Sequence, residues 1–429
     1  MAHILFTTLG SLGDLHPYIA VGLGMRERGH RVTIATSEVY RAKVEGEGLE
    51  FYPLRPDISF VLDEPEVMRL AFHPRTGGAY MFKKLIAPFI EESYEDTLTA
   101  CRDADLIVGH AIAFTTRTAA DVLNKPWVSV ALQPSLFLSA HDPSSISGAP
   151  WLDHLHQLGP RFWGPVYRIL KRAARPFGKR VNVLRVRAGL MPLKNPLFDS
   201  MVSPLGMQAW FSSVFAVRQP DWHKPTLITG FPFYDRLVPG EGMESALREF
   251  LDSGPAPVVF TLGSAAVMSA GSFYTESLEA VRQLGCRAVL LIGRDARNLP
   301  AGAVPPTVHI AEYAPYSEVF ARAAALVHQG GMGTTAQALR SGKPMLVVPW
   351  SHDQPDNGLR ITRLGVGEVI PRSKYNAVRV AAGLRRLLAE PRYAEAADRV
   401  ARGIAVEDGV GAACDGLEAT LAAVTKSGA

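Results

Sequence analysis

Twice along this chain a short apolar run ends in glycines, passes into a helix-spaced stretch and returns to a second apolar run. Residues 3–8 form the first run, followed by a glycine turn at Gly10–Gly13, helical spacing over 17–28, a stop at Gly29 and a β-branched run over 30–36. Strand, glycine loop, helix and strand make the repeating unit of a parallel α/β sheet. It continues through a strand at 105–108, a helix at 116–123 and a strand at 127–132. The same logic restarts with a strand at 257–262 ending in Gly263-Ser264, a helix at 273–284 and a strand at 288–292. A strand at 325–328 then ends in glycines, before a helix at 335–341 and a strand at 345–349. Two α/β domains in tandem follow, each a Rossmann-like, doubly wound parallel sheet.

A chain of 429 residues accommodates two domains, each of roughly 200 residues. Residues 218–242 hold four prolines and three glycines and read as the interdomain linker. The expected division is 1–217, linker 218–242, 243–410, and a small-residue C-terminal helix and tail over 411–429.

Composition removes several function classes. Lys plus Arg is 45 against 41 for Asp plus Glu, a net of +4, too mild a balance for wholesale nucleic-acid binding. Three scattered cysteines, Cys101, Cys286 and Cys414, form no CxxC pair; a disulfide scaffold and a zinc knuckle are excluded, and a reducing cytoplasm fits. The start reads as a first strand rather than a signal peptide, and no run approaches the roughly 18–20 apolar residues of a spanning helix. No obligate protein partner is evident. From His154 to Phe198 there is no acidic residue, while ten Lys and Arg occur among interleaved aromatics. Residues 161–194 therefore read either as a solvated helix face with its aromatics in the core, or as a peripheral contact with the inner face of an anionic membrane.

Open α/β sheets bind ligands at the carboxyl ends of their strands, and two loops there have suitable chemistry. The first, Gly10-Ser11-Leu12-Gly13-Asp14-Leu15-His16-Pro17, lacks GxGxxG spacing. It offers a carboxylate and an imidazole at the mouth of a sheet; the plain alternative for Asp14 is a helix N-cap. The second, His328-Gln329-Gly330-Gly331-Met332-Gly333-Thr334-Thr335, lets backbone amides at a helix start face an anion, and pyrophosphate is its natural ligand. No GxxxxGK[ST] sequence accompanies it, which removes the P-loop classes. Ser264 adds a hydroxyl, Tyr313-Ala314 an aromatic for base stacking, and Trp350 with His352-Asp353-Gln354 a carboxylate and amide suited to sugar hydroxyls. Asp103-Ala104-Asp105 is formally a DxD but precedes a first-half strand and reads as a junction. His154 and His156 lack a third ligand, so no metal site is expected.

This combination resembles the family-one glycosyltransferases of the GT-B fold, whose two domains face each other across a cleft. The resemblance rests on His328-x-Gly330-Gly331-x-Gly333-Thr334, then Gly342-x-Pro344, Pro349 and Asp353-Gln354. Gly10-Ser11-x-Gly13-Asp14-x-x-Pro17, Thr229-Gly230-Phe231-Pro232 and His352-Asp353-Gln354-x-Asp356-Asn357 are most similar to a bacterial branch that includes rhamnolipid rhamnosyltransferase and sterol glucosyltransferase-like enzymes. The resemblance implies inverting, metal-independent transfer from a nucleotide diphosphate sugar, with no bound cofactor. It implies base stacking on Tyr313 beside Ala314, and diphosphate binding by Gly13, Gly263, Ser264, His328 and Gly330, Gly331, Met332, Gly333 and Thr334. Sugar hydroxyls fall to Asp353 and Gln354, with Trp350 and His352 in the same donor-binding set. Asp14 takes the general-base position, with His110 as partner and His16 as the competing base. Gln337 stands where the superfamily carries a ribose-binding Glu, which leaves UDP-glucose and dTDP-rhamnose both open as donors.

The acceptor side has the least specific sequence. Phe82, Phe114 and Phe137 are the expected acceptor contacts, drawn from a set with Phe60, Phe72, Tyr80, Met81 and Phe89, and they imply a lipophilic alcohol or phenol. A nucleotide-sugar epimerase of the same fold and a non-catalytic sugar-nucleotide binder are the competing readings.

Overall fold

The computed structural model describes residues 1–58, 64–235 and 242–427, which leaves Phe60 outside the described residues. The first sheet contains β1 (His3–Thr7), β2 (Arg31–Thr36), β3 (Glu50–Pro53), β4 (Leu106–His110), β5 (Trp127–Ala131), β6 (Met207–Ala209) and β7 (Thr226–Ile228), in the order β3-β2-β1-β4-β5-β6-β7. The second contains β8 (Val258–Thr261), β9 (Ala288–Leu291), β10 (Val308–Ala311), β11 (Ala325–His328), β12 (Met345–Val347) and β13 (Gly367–Val369), in the order β10-β9-β8-β11-β12-β13. Every pairing is parallel. A parallel sheet covered by helices on both faces demands continuous apolar strands, and Ile4, Leu5 and Phe6 are accordingly 0% exposed. In both sheets the winding direction reverses between two central strands, β1 and β4 in one, β8 and β11 in the other. Loops leaving the carboxyl ends of such a pair diverge and open a crevice.

Five helices position the site or bind the domains together: α1 (Leu12–Glu27), α2 (Gly159–Ala174), α3 (Met332–Arg340), α4 (Gln354–Leu364) and α5 (Gly409–Ser427). Helix α1 starts five residues ahead of its sequence-based start because Ser11 caps it, accepting a hydrogen bond from the Gly13 amide. Two features add to the expected division. The proline-rich stretch 218–242 is more than a linker, because β7 lies inside it and pairs with β6. As an edge strand, β7 tolerates the flanking prolines that would break a central one. The C-terminal helix returns to the first domain, where Arg28 pairs with Asp415 at 2.6 Å and Glu418 at 2.7 Å. Cys414 is buried there against the Val21 carbonyl.

The first domain also reaches over the second. Met68, Ala71, Phe72 and Leu85 pack into the same apolar cluster as Phe260, Val327 and Trp350. In the basic stretch, Trp163 and Tyr167 are core residues, while Phe162, Ile169 and Leu170 are exposed beside the exposed Arg161, Arg168 and Arg172. Among the described residues no helix is long and apolar enough to cross a membrane.

Candidate active site

The β1–β4 crevice is built from side chains. Gly10 turns the chain at φ +124°, and a Cβ there would stand 2.3 Å from Asp14 Oδ2, so only glycine leaves room for that carboxylate. Asp14 is not the N-cap but the third residue of α1. Its Oδ2 accepts hydrogen bonds from the Ser11 amide at 2.7 Å and the Ser11 hydroxyl at 3.1 Å, a capping box that locks its rotamer. Pro17 supplies no N–H one turn later, so the Gly13 carbonyl has no helical partner and remains an acceptor at the crevice.

His110, the last residue of β4, is 3% exposed, with Nδ1 3.2 Å from the Thr8 hydroxyl and Nε2 buried without a partner. Burial holds its pKa below the ordinary value, partly offset by the charge of Asp14. The expected Asp14–His110 dyad is therefore not a direct hydrogen bond: Asp14 is held by Ser11, and His110 by Thr8. His16 is two residues beyond Asp14, about 200° around the helix. It faces Tyr234, with ring centroids 4.8 Å apart, instead of lying beside Asp14. Burial, then the charge of Lys43, pushes its pKa down to about 3.

The β8–β11 crevice is built from backbone. Gly330 has φ +87°, and a Cβ there would be 2.7 Å from Val347 Cγ1. Gly331 caps α3, presenting the first-turn amides of Met332, Gly333 and Thr334, the donors that an α-helix leaves unpaired. His328 does not line this space. It is 0% exposed, its Nδ1 accepts from the Gly330 amide at 3.1 Å, and its Nε2 lies 3.4 Å from Met345 Sδ. With its pKa pushed down to about 3 by burial, it is a neutral ring that shapes the glycine loop. Thr334 is buried too, its hydroxyl accepting from Gln329 Nε2 at 3.2 Å. Gly263 sits against Gln329 and Thr334, and Ser264 beside it is exposed.

The two crevices face each other. A Cβ on Gly333 would stand 3.4 Å from Gly13 Cα, so the second-domain glycine loop and the first-domain loop meet at glycines.

The loop after β12 adds a third wall. His352 has φ +59°, a left-handed backbone that is uncommon for a non-glycine residue. Its ring packs edge-on against Phe72 of the first domain, centroids 5.3 Å apart, with Nε2 buried and unpartnered. Asp353 caps α4, and its Oδ2 accepts from Asn357 Nδ2 at 2.7 Å. Burial foremost, with the charge of Asp14 contributing from across the cleft, raises the Asp353 pKa to about 7. Gln354 Oε1 accepts from the Trp350 amide at 2.8 Å and fixes the turn. The Trp350 indole is in the core at 2% exposure, donating to the Ser269 carbonyl, so it does not line the cleft. The sequence motif alone gives Asn357 no role of its own. It bonds the Gly330 carbonyl at 2.8 Å as well as Asp353, joining the glycine loop to that carboxylate.

Of the residues expected at the base, Tyr313 is 51% exposed and Ala314 is buried. Gln337 donates to Asp235 at 3.2 Å, and Arg340 holds both oxygens of the same carboxylate at 2.6 and 2.9 Å. Of the expected acceptor contacts, Phe82 and Phe114 meet edge-on at 5.5 Å, with Phe177 6.0 Å from Phe82. Phe137 is elsewhere: it stacks on Trp222 at 3.9 Å and packs against the second domain's core. Asp105 lies at the start of β4, accepting from the His3 amide at 2.7 Å, at the end of the sheet opposite the crevice.

Comparison with known proteins gives this geometry its relatives. Residues 4–128 match the Glycosyltransferase family 28 N-terminal domain, and residues 275–409 the Erythromycin biosynthesis protein CIII-like C-terminal domain. The chain is 32% identical to O-mycaminosyltylonolide 6-deoxyallosyltransferase of Streptomyces fradiae, with 96% of each chain covered. It is 26% identical to a sterol 3-beta-glucosyltransferase of Emericella nidulans over 96% of its own length, but spans 29% of that longer protein. Among solved structures, the kitacinnamycin glycotransferase superposes with a TM-score of 0.70 at 22% identity, covering 98% of this chain and 99% of the other. The spinosyn rhamnosyltransferase complexed with thymidine diphosphate gives 0.65 at 17% identity, covering 97% and 100%.

Proposed function

The chain belongs to the family-one glycosyltransferases of the GT-B fold, and from that premise we propose that it moves a deoxyhexose from a dTDP-sugar to a hydroxyl of a lipophilic natural product, with inversion and without a metal. The observation that carries this reading is the opposition of the two crevices. A side-chain carboxylate, Asp14, stands on one wall, and a helix N-terminus suited to a leaving diphosphate stands on the other, with their loops touching at Gly13 and Gly333.

In this reading Asp14, with Oδ2 already bonded to Ser11, takes the acceptor proton on its other oxygen. The acceptor oxygen forms its bond to the anomeric carbon as the bond from that carbon to the diphosphate oxygen breaks on the opposite face. The amides of α3 receive the growing charge on the departing diphosphate. His110 keeps a neutral, buried nitrogen beside the crevice and supports the Thr8 turn. Asp353 and Gln354 bind sugar hydroxyls, and Tyr313 stacks on the base.

The choice of dTDP over UDP follows from Gln337. A ribose offers a vicinal diol that a free carboxylate grips well. Here the side chain is a neutral amide bonded to Asp235, and the Asp235 charge is answered by Arg340. A deoxyribose, with no 2′-hydroxyl, needs that grip less. The 6-deoxyallosyl transfer in the name of the Streptomyces relative and the thymidine diphosphate bound to a structural neighbour favour the same donor class. The first of these names also favours a small-molecule acceptor.

The test is a mass-spectrometric assay with dTDP- and UDP-sugars over pooled lipophilic alcohols and phenols. A deoxyhexose adduct from the dTDP donor is the expected product. Donor isomerised without any adduct would transfer the assignment to an epimerase. The proposal extends to a peripheral membrane contact through residues 161–194, supported by the exposed Phe162 and Ile169 beside exposed arginines. Failure to sediment with anionic vesicles at low salt would remove that part alone.

A further inference from the structure

The segment between β5 and α2 crosses the cleft and grips the helix that carries the sugar contacts. On the first-domain side, Asp221 accepts from the Ser139 hydroxyl at 2.6 Å and the Ala140 amide at 2.7 Å. The Ser147 hydroxyl donates to the Pro74 carbonyl at 2.8 Å, which ties this segment to the one holding Phe72 against His352. On the second-domain side, Arg360 of α4 donates to Asp142 at 2.6 Å and to Asp356, one turn earlier on α4, at 2.9 Å. The other Asp356 oxygen accepts from the Ser145 amide at 3.0 Å. Arg363 reinforces the crossing with 3.1 Å to Asp142 and 2.9 Å to His156 Nδ1.

Asp356 is 0% and Arg360 5% exposed. A buried ion pair is weak evidence for stability, because desolvation offsets much of the attraction; its better-attested use is to specify one arrangement among several. Here the arrangement specified is a register between domains. Opening the cleft would return Asp356 and Arg360 to water, and closing it removes them only if Asp142 and the Ser145 amide arrive in place. Asn357, the residue after Asp356, bridges Asp353 to the Gly330 carbonyl. One turn of α4 therefore faces the far domain on one side and the donor site on the other.

We propose that Arg360 is a positioning residue for transfer: by bridging Asp356 and Asp142 it fixes segment 139–158 of the first domain to the helix bearing Asp353, so that the two domains, and with them Asp14 and the donor sugar, are set in one register. This rests on the transferase reading above. Arg360 acts through Asp142 and Asp356.

Asp142→Asn tests it without stranding a buried charge, since the Asp356–Arg360 pair stays within α4. The expected result is a roughly tenfold fall in kcat/KM for the acceptor, the scale of losing one contact from a charge network. Nucleoside diphosphate affinity should stay within about twofold, and donor hydrolysis should rise relative to transfer. Arg360→Lys, which cannot grip both carboxylates in a fork, should fall between wild type and Asp142→Asn. Amide hydrogen exchange over 139–158 supplies a readout independent of catalysis, and exchange there should quicken in Asp142→Asn. A variant that merely folds less well lowers the active fraction while leaving acceptor KM, the hydrolysis-to-transfer ratio and local exchange at wild-type values; that pattern overturns the proposal. If the wild-type protein transfers to no acceptor, the transferase reading falls, and unchanged exchange over 139–158 still overturns this one.

Discussion

The β1–β4 and β8–β11 crevices occupy equivalent places in two sheets of the same winding, yet they are made of different material. The second is a backbone site: glycines at 330, 331 and 333, a helix start, and a buried neutral histidine pinning the loop. The first is a side-chain site, in which Asp14, Thr8 and His110 are placed by partners from separate elements. The division follows the chemistry. A diphosphate carries much the same charge and shape whatever sugar it bears, so fixed amides suit it. Acceptors vary, and the proton to be removed needs one titratable group at one distance.

That contrast can be broken at either end. The largest effect belongs to Asp14→Asn, which should lower the transfer rate by about 10²- to 10⁴-fold, the range of general-base catalysis, with nucleoside diphosphate affinity unchanged by calorimetry. Near-normal turnover would move the base to a histidine. Gly330→Ala should do the reverse. It forces a strained φ worth about 1–3 kcal/mol and a Cβ into Val347, so diphosphate affinity and thermal midpoint should both drop.

A smaller effect separates the proposed sugar wall from both. The Asp353 carboxyl has a folded pKa of about 7 against roughly 3.9 in an unfolded chain. The folded state therefore holds an extra proton between those values, and this group's contribution to stability declines as pH rises across that window. Above pH 7 the carboxylate accepts only. Donor KM should fall as pH rises through 7, and Asp353→Asn should flatten both profiles; an unchanged profile would clear Asp353 of the role. Smallest is Gln337→Glu, expected to shift the UDP-to-dTDP preference by the value of one hydrogen bond, about 1 kcal/mol, read from competing donors in one assay.

The backbone site was the more legible in the sequence, and for the same reason. Phosphate binding by amides demands glycines between a strand and a helix, and that pattern is local. Even there the residue types misled: His328 and Trp350 read as contacts but are buried, because a motif marks what a loop needs and not which atoms face the ligand. In the first domain, Asp14 stood out by position, but its placement as the third residue of α1 depends on Ser11 as cap. Strand β7 was hidden by prolines that an edge position tolerates. The Asp142–Arg360 contact joins residues 218 positions apart and has no local signature at all.

If the base and the leaving group stand on opposite walls, attack must come from the face opposite the departing diphosphate. The direct measurement is the anomeric configuration of the product, read by NMR from a donor of defined anomer under conditions where the product does not equilibrate. Inversion is the predicted result. Retention would require a covalent or same-face route that two opposed crevices do not provide, and would contradict the account.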